Sequence, residues 1–131
     1  MSYSATIDVP DLEAGVAFYA GLFGFTETAR PLPTLAVLDA NGQSLLIFQK
    51  EPGSHPVKNA LIARDYARHW TPVHLDFNIE DVKAMLPELA RLGGTLEELH
   101  ELPGRPTVAF CADPFGHGFC LIGKRRRQDV A

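Results

Sequence analysis

His74, Asp76 and Cys120 are the side chains of this sequence best equipped for chemistry. An imidazole titrates near neutrality and serves as base, acid or metal ligand. A carboxylate serves as a general base. A thiol becomes a nucleophile when a base takes its proton. His74 and Asp76 lie in Val-His-Leu-Asp-Phe-Asn-Ile-Glu, residues 73–80, which alternates apolar and polar. As a half-buried strand it turns Leu75, Phe77 and Ile79 to one side and His74, Asp76 and Asn78 to the other. Each group also has a plainer role. His74 fits a hydrogen-bonded residue of a wall, a ligand contact or a metal ligand. Cys120 fits an inert buried thiol as well as a nucleophile whose base would be His74. Asp76, like Asp8, fits strand-end solvation or an arginine partner as well as a base.

The same parity extends the polar face. In residues 3–9, Ala5, Ile7 and Val9 face a core, while Ser4, Thr6 and Asp8 face away. In the last apolar segments, Phe119 and Leu121 pack inward and leave Cys120 and Ile122. Leu45 and Ile47 likewise leave Ser44, Leu46 and Phe48. The face opposite the core is therefore polar along two strands and apolar along two others. Apolar walls with a few orienting polar groups suit a small organic ligand.

The elements that must position these residues occur twice. An offset of 70 lays Ala5, Ile7 and Val9 on Leu75, Phe77 and Ile79, Asp11 on Asp81, and Gly24 on Gly94. An offset of 74 lays Asp39-Ala40-Asn41-Gly42 on Asp113-Pro114-Phe115-Gly116, and residues 44–49 on 118–123. Leu12, Val16, Tyr19 and Phe23 recur at helical spacing between an Asp11 cap and a Gly24 stop. Val82, Met85, Leu86, Leu89 and Leu92 form the second helical face, and Pro87 predicts a kink or restart near Leu86. Three short strands follow each helix, near 25–30, 35–38 and 44–49, and near 95–102, 107–111 and 118–123. The pattern reads βαβββ twice: an α+β chain with a first module over 1–49, a linker over 50–72 and a second module over 73–123. Tyr66, His69 and Trp70 predict that the linker is packed down or closes as a lid.

Composition bounds the function. The 131 residues fit one domain. With 46% hydrophobic and 21% charged residues the chain can build a core, and a net charge of -4 offers no field for nucleic acid. No apolar run reaches membrane-spanning length, and the N-terminus lacks the pattern of a signal peptide. Two cysteines, Cys111 and Cys120, make no disulfide framework and read as reduced thiols of a cytoplasmic protein. The basic run Lys124-Arg125-Arg126-Arg127 opens a tail over 124–131, which reads as solvated rather than as a nucleic-acid arm.

This organisation resembles the vicinal oxygen chelate superfamily of glyoxalase I, bleomycin-resistance proteins, extradiol dioxygenases and fosfomycin-resistance thiol transferases. The resemblance rests on Asp11-Leu12, Ala17-Phe18-Tyr19, Leu22-Phe23-Gly24-Phe25, His74-Leu75-Asp76-Phe77 and Asp113-Pro114-Phe115-Gly116-His117-Gly118-Phe119. It implies one glyoxalase-like domain over 1–131: a cupped mixed sheet from both modules with the helices outside, and frequent homodimers. Many members bind a divalent metal in the cup through the first and last strands of each module. Those positions here are Ser4, His74, Leu46 and Cys120, of which His74 alone matches. One imidazole and one thiol do not complete a hard-metal site. A catalytic zinc usually takes three protein ligands, with Asp76 the one recruit in reach.

The sequence therefore predicts a protein that binds a small, partly apolar organic molecule with no cofactor and no obligatory metal. The predicted contacts are Ser4, Thr6, Asp8, Leu46, Phe48, His74, Asp76, Asn78, Cys120 and Ile122. No nucleic acid or membrane partner is expected. The competing reading is an enzyme: a lyase or dioxygenase type with an altered metal site at His74, or a metal-free acid–base catalyst using His74 and Asp76.

Overall fold

A computed structural model describes residues 1–124; the predicted tail beyond Lys124 lies outside the described residues. The elements run β1 (Ala5–Val9), α1 (Leu12–Phe23), β2 (Thr26–Leu32), β3 (Leu35–Ala40), β4 (Gln43–Gln49), β5 (Leu75–Ile79), α2 (Val82–Arg91), β6 (Thr95–His100), β7 (Val108–Ala112) and β8 (Gly118–Gly123). The chain divides into two compact units, Met1–Tyr66 and the residues from Ala67 onward. Each holds one βαβββ module with its own four-stranded mixed sheet.

In the first unit the strand order is β1-β4-β3-β2, with β1 and β4 parallel and the other pairs antiparallel. A parallel pair needs a crossover, and α1 supplies it. Asp11 caps α1 by accepting from Ala14 N at 3.1 Å. Gly24 ends it at φ +70°, donating to Ala20 O at 2.8 Å. The buried stripe of α1 is Leu12, Gly15, Phe18, Tyr19 and Leu22, not the predicted Leu12-Val16-Tyr19-Phe23. Gly15 explains the rotation. A Cβ there would lie 2.8 Å from Ile47 and 2.9 Å from Val9, so the helix rests on the sheet through its bare backbone. Val16 and Phe23 move to the half-buried margin.

The β3–β4 hairpin turns at Asn41 (φ 57°) and Gly42 (φ 89°), the pair a two-residue turn of this hand requires. Most of the predicted linker folds back onto the first unit. Gly53 N donates to Arg64 O and Arg64 N to Ser54 O, both at 2.8 Å, and the Tyr66 hydroxyl donates to Lys50 O at 2.7 Å.

The second unit repeats the plan, with order β5-β8-β7-β6 and β5 parallel to β8. Asp81 caps α2 by accepting from Ala84 N at 3.3 Å. The helix runs unbroken through Pro87, against the expected restart. Pro87 and Lys83, whose carbonyl loses its partner, both lie on the exposed side, where water can take the bond. Before β8, the buried Asp113 carboxylate accepts from Phe115 N at 2.8 Å and His117 N at 2.9 Å, which shapes the Asp-Pro-Phe-Gly-His turn. No helix among the described residues is long and apolar enough to cross a membrane.

Candidate functional site

Strand pairing decides which side chains of the second unit share a face. Asp76 pairs with Cys120, Cys120 with Phe110, and Phe110 with Glu98. One row over, Asn78 pairs with Ile122, Ile122 with Val108, and Val108 with His100. Directly opposed residues point the same way. Two rows therefore cross the sheet on the face away from α2, each changing from polar to apolar and back. The other face carries Phe119, Leu121, Ala109 and Cys111, all buried.

His74 sits one residue before β5. Its Nδ1 lies 3.2 Å from Asp76 Oδ1. The ligand atoms of His74, Asp76 and Cys120 all lie within 4.8 Å of one another. His74 and Asp76 are exposed and Cys120 is buried. Burial, followed by the charge of Asp76 and a hydrogen bond to it, pushes the Cys120 thiol up to about 11. At neutral pH it is a protonated donor, not a nucleophile.

Trp70 roofs the first part of this face. Its ring lies against Gly118, where a Cβ would come within 2.4 Å. Its edge contacts are with His74 (5.6 Å between centroids) and Phe110 (5.9 Å). The indole N–H donates to Glu97 Oε1 at 2.8 Å, and the Arg68 guanidinium stands 4.6 Å over the ring. Glu97 is the extra residue of an irregularity between Leu96 and Glu98, which frees its carboxylate from the alternation. The Arg68 hydrogen bond, aided by the indole and opposed by desolvation, holds that carboxyl below the usual range.

The first unit's corresponding face is plainer. Thr6 pairs with Leu46 and Leu46 with Val37; Asp8 pairs with Phe48 and Phe48 with Leu35. Asp8 accepts from Arg64 Nε at 2.8 Å, the arginine partner that was its plainer sequence reading. The Lys50 ammonium lies 3.9 Å over the Phe48 ring. Ser4 and Thr6 are exposed, and Leu46 and Phe48 half-buried.

The sequence model of the glyoxalase-like domain matches residues 4–122. This chain belongs to the glyoxalase-like domain family. Its fold is that of the vicinal oxygen chelate superfamily. Similar solved structures include the fosfomycin resistance protein FosX from Mesorhizobium loti, at 18% identity and TM-score 0.69, covering 100% of this chain and 98% of that one. A mutant FosX from Listeria monocytogenes, complexed with Mn(II) and 1S,2S-dihydroxypropylphosphonic acid, matches at 18% identity and TM-score 0.72, covering 99% and 94%. Lactoylglutathione lyase from Agrobacterium tumefaciens matches at 20% identity and TM-score 0.63, covering 93% and 92%. At these identities the likeness is one of fold. No curated protein sequence matches.

The superfamily's metal positions in this glyoxalase-like chain do not reproduce a hard-metal site. Leu46 offers no donor, Ser4 a neutral hydroxyl, and Cys120 a buried protonated thiol. The donors that do converge are His74, Asp76 and Cys120, within one module.

Phe110, Val108, His100 and Arg105 were not foreseen as part of this face, whereas Trp70 was expected either to pack the linker down or to close as a lid. Alternation along 107–111 would have assigned Val108 and Phe110, since Ala109 and Cys111 take the helix side. Trp70 had no local signal for its resting place: the space above Gly118 exists only once the strands pair.

Proposed function

We propose that this glyoxalase-like chain binds a small, partly apolar organic molecule on the β5–β8–β7 face of its second module, without an obligatory metal. The observation that carries this reading is the register that aligns Asp76, Cys120 and Phe110 in one row and Asn78, Ile122 and Val108 in the next. Polar orienting groups and apolar wall thus lie side by side. They adjoin a hollow of about 310 Å³ lined by His100, Leu102, Arg105, Pro106, Val108 and Phe110, within the size range of small-molecule sites. That a FosX structure holds a small phosphonic acid makes a small-ligand role congruent with the fold.

The test pairs metal analysis with a fragment screen. Protein purified without chelator should carry well under one metal equivalent. Ligands should raise its melting temperature with the logarithm of their concentration over Kd. Stoichiometric zinc, manganese or iron at His74, with activity lost on chelation, would overturn it. The convergence of His74, Asp76 and Cys120 favours a second reading, a metal-dependent enzyme with an altered ligand set, and the same analysis decides between the two. We also propose a homodimer in the cytoplasm. Each sheet ends in edge strands that a second copy can cover, and both thiols are free. Light scattering at a monomer mass across micromolar concentrations would reject the dimer.

A further inference from the structure

Five arginines lie among the described residues, and four of them are neutralised. Arg30 pairs with Glu27 and Glu13, Arg64 with Asp8, Arg68 with Glu97, and Arg91 with Glu88. Arg105 alone has no carboxylate partner among the described residues. It follows β6 in a turn closed by Arg105 N donating to Leu102 O at 3.1 Å, and it lines the 310 Å³ hollow. The nearby acids are engaged elsewhere. Glu101 holds Lys83 at 2.8 Å, and Glu98 faces His100 Nε2 at 3.5 Å. Beside Arg105 and His100, whose ring meets Phe110 at 5.1 Å, the lining is apolar: Leu102, Pro106, Val108 and Phe110.

An apolar hollow with one uncompensated guanidinium selects for a ligand of matching polarity. No carboxylate among the described residues lines the hollow to meet a cation, and a neutral hydrocarbon leaves the guanidinium without an anion. An organic anion satisfies both parts: its body displaces water from Phe110, Val108, Leu102 and Pro106, while its charged end takes the planar fork of Arg105. We infer that the ligand is a small organic carboxylate with a flat or branched apolar body, anchored through Arg105. This rests on the small-molecule reading above and names the chemical class of its ligand.

The test compares 3-phenylpropionate with its uncharged isostere 3-phenylpropionamide, titrated by NMR into the full chain at low salt and pH 7. Both should shift the amides of residues 102–110, with the carboxylate binding about tenfold tighter, as one charge-assisted contact provides. Arg105→Gln should remove that advantage and leave the amide's affinity unchanged, while Arg105→Lys keeps part of it. Added salt should weaken the carboxylate alone. Equal affinities in the native protein, or a preference that survives Arg105→Gln, would overturn the anion assignment while small-molecule binding stands. If neither probe moves those amides at millimolar concentration, both readings of the hollow fall.

Discussion

The two modules share a scaffold and differ in what they place on it. Thr6 pairs with Leu46 where the second module pairs Asp76 with Cys120, the same register at offsets of 70 and 74. In the first module that row is a hydroxyl beside an alkyl chain, and the one carboxylate of the neighbouring row, Asp8, is held by Arg64. In the second module the row carries an acid, a thiol and an aromatic ring, with His74 at its edge. The cores differ in the opposite sense. Helix α1 buries five residues around Gly15; α2, with Met85 at the equivalent position, buries two. A duplicated fold lets one half keep the tighter helix–sheet packing while the other accumulates reactive groups.

Phe18→Ala should give the largest effect on this comparison. Phe18 is buried, whereas its counterpart Glu88 pairs with Arg91 near the surface. Removing Phe18 should cost about 3–5 kcal/mol in denaturant unfolding, and Glu88→Ala far less, since water screens its pair with Arg91. Comparable costs would mean that the two helices carry equal loads.

Alkaline pH should strike the second module next. Its buried thiols stand where the register of the first module has Leu38 and Leu46. Burial, first of all, raises Cys111 from the ordinary 9.0 to about 12 and Cys120 to about 11. The fold therefore favours the protonated thiols. That stability is complete below about pH 9 and is lost as pH rises toward 11 and 12, at about 1.4 kcal/mol per pH unit per thiol. Unfolding free energy measured from pH 8 to 11 should fall on this schedule, and Cys120→Ala should make the fall shallower. Rapid alkylation of both thiols in the native protein at pH 8 would contradict their burial.

Gly118→Ala comes third. The added methyl collides with the Trp70 ring, so a loss of about 1–3 kcal/mol is expected. Trp70 is the sole tryptophan, and its emission should shift toward that of a solvated indole. The equivalent Ser44 is exposed, and Ser44→Ala should change stability by less than about 0.5 kcal/mol. Unchanged emission in Gly118→Ala would show that Trp70 is not seated on β8.

The smallest effect on stability, within about 0.5 kcal/mol, is expected from His74→Ala and Ser4→Ala, since both side chains lie away from the helix-side cores. They should part in ligand response. His74→Ala should reduce the melting-temperature gain from a ligand identified in the screen, and Ser4→Ala should leave it unchanged. Equal losses would show that the first module contributes as much to binding.

Much of the fold was legible because it depends on local rules. Asp11, Asp81 and Gly24 mark helix ends through single side chains or a single φ value, and Asn41-Gly42 marks its turn in the same way. The βαβββ repeat could be read because alternation along each strand and the two offsets do not depend on contacts. Parity also placed His74, Asp76 and Cys120 away from the helix-side core. The α1 stripe was misread because the packing of Gly15 depends on what lies beneath it, and helical periodicity counts apolar side chains rather than their absence.

The sequence by itself determined the modules, their caps and turns, and which residues of each strand share a side, since each follows from the geometry of one or a few consecutive residues. The tertiary structure decided what those sides meet. It joined Cys120 to Phe110 through strand register, and it freed Glu97 from alternation to hold Trp70 over Gly118. It also engaged Asp8 with Arg64 across 56 positions and left Arg105 beside a largely apolar hollow with no carboxylate partner among the described residues. Such pairings join residues far apart in the chain, and no local preference encodes a partner that only the closing of the sheet brings near.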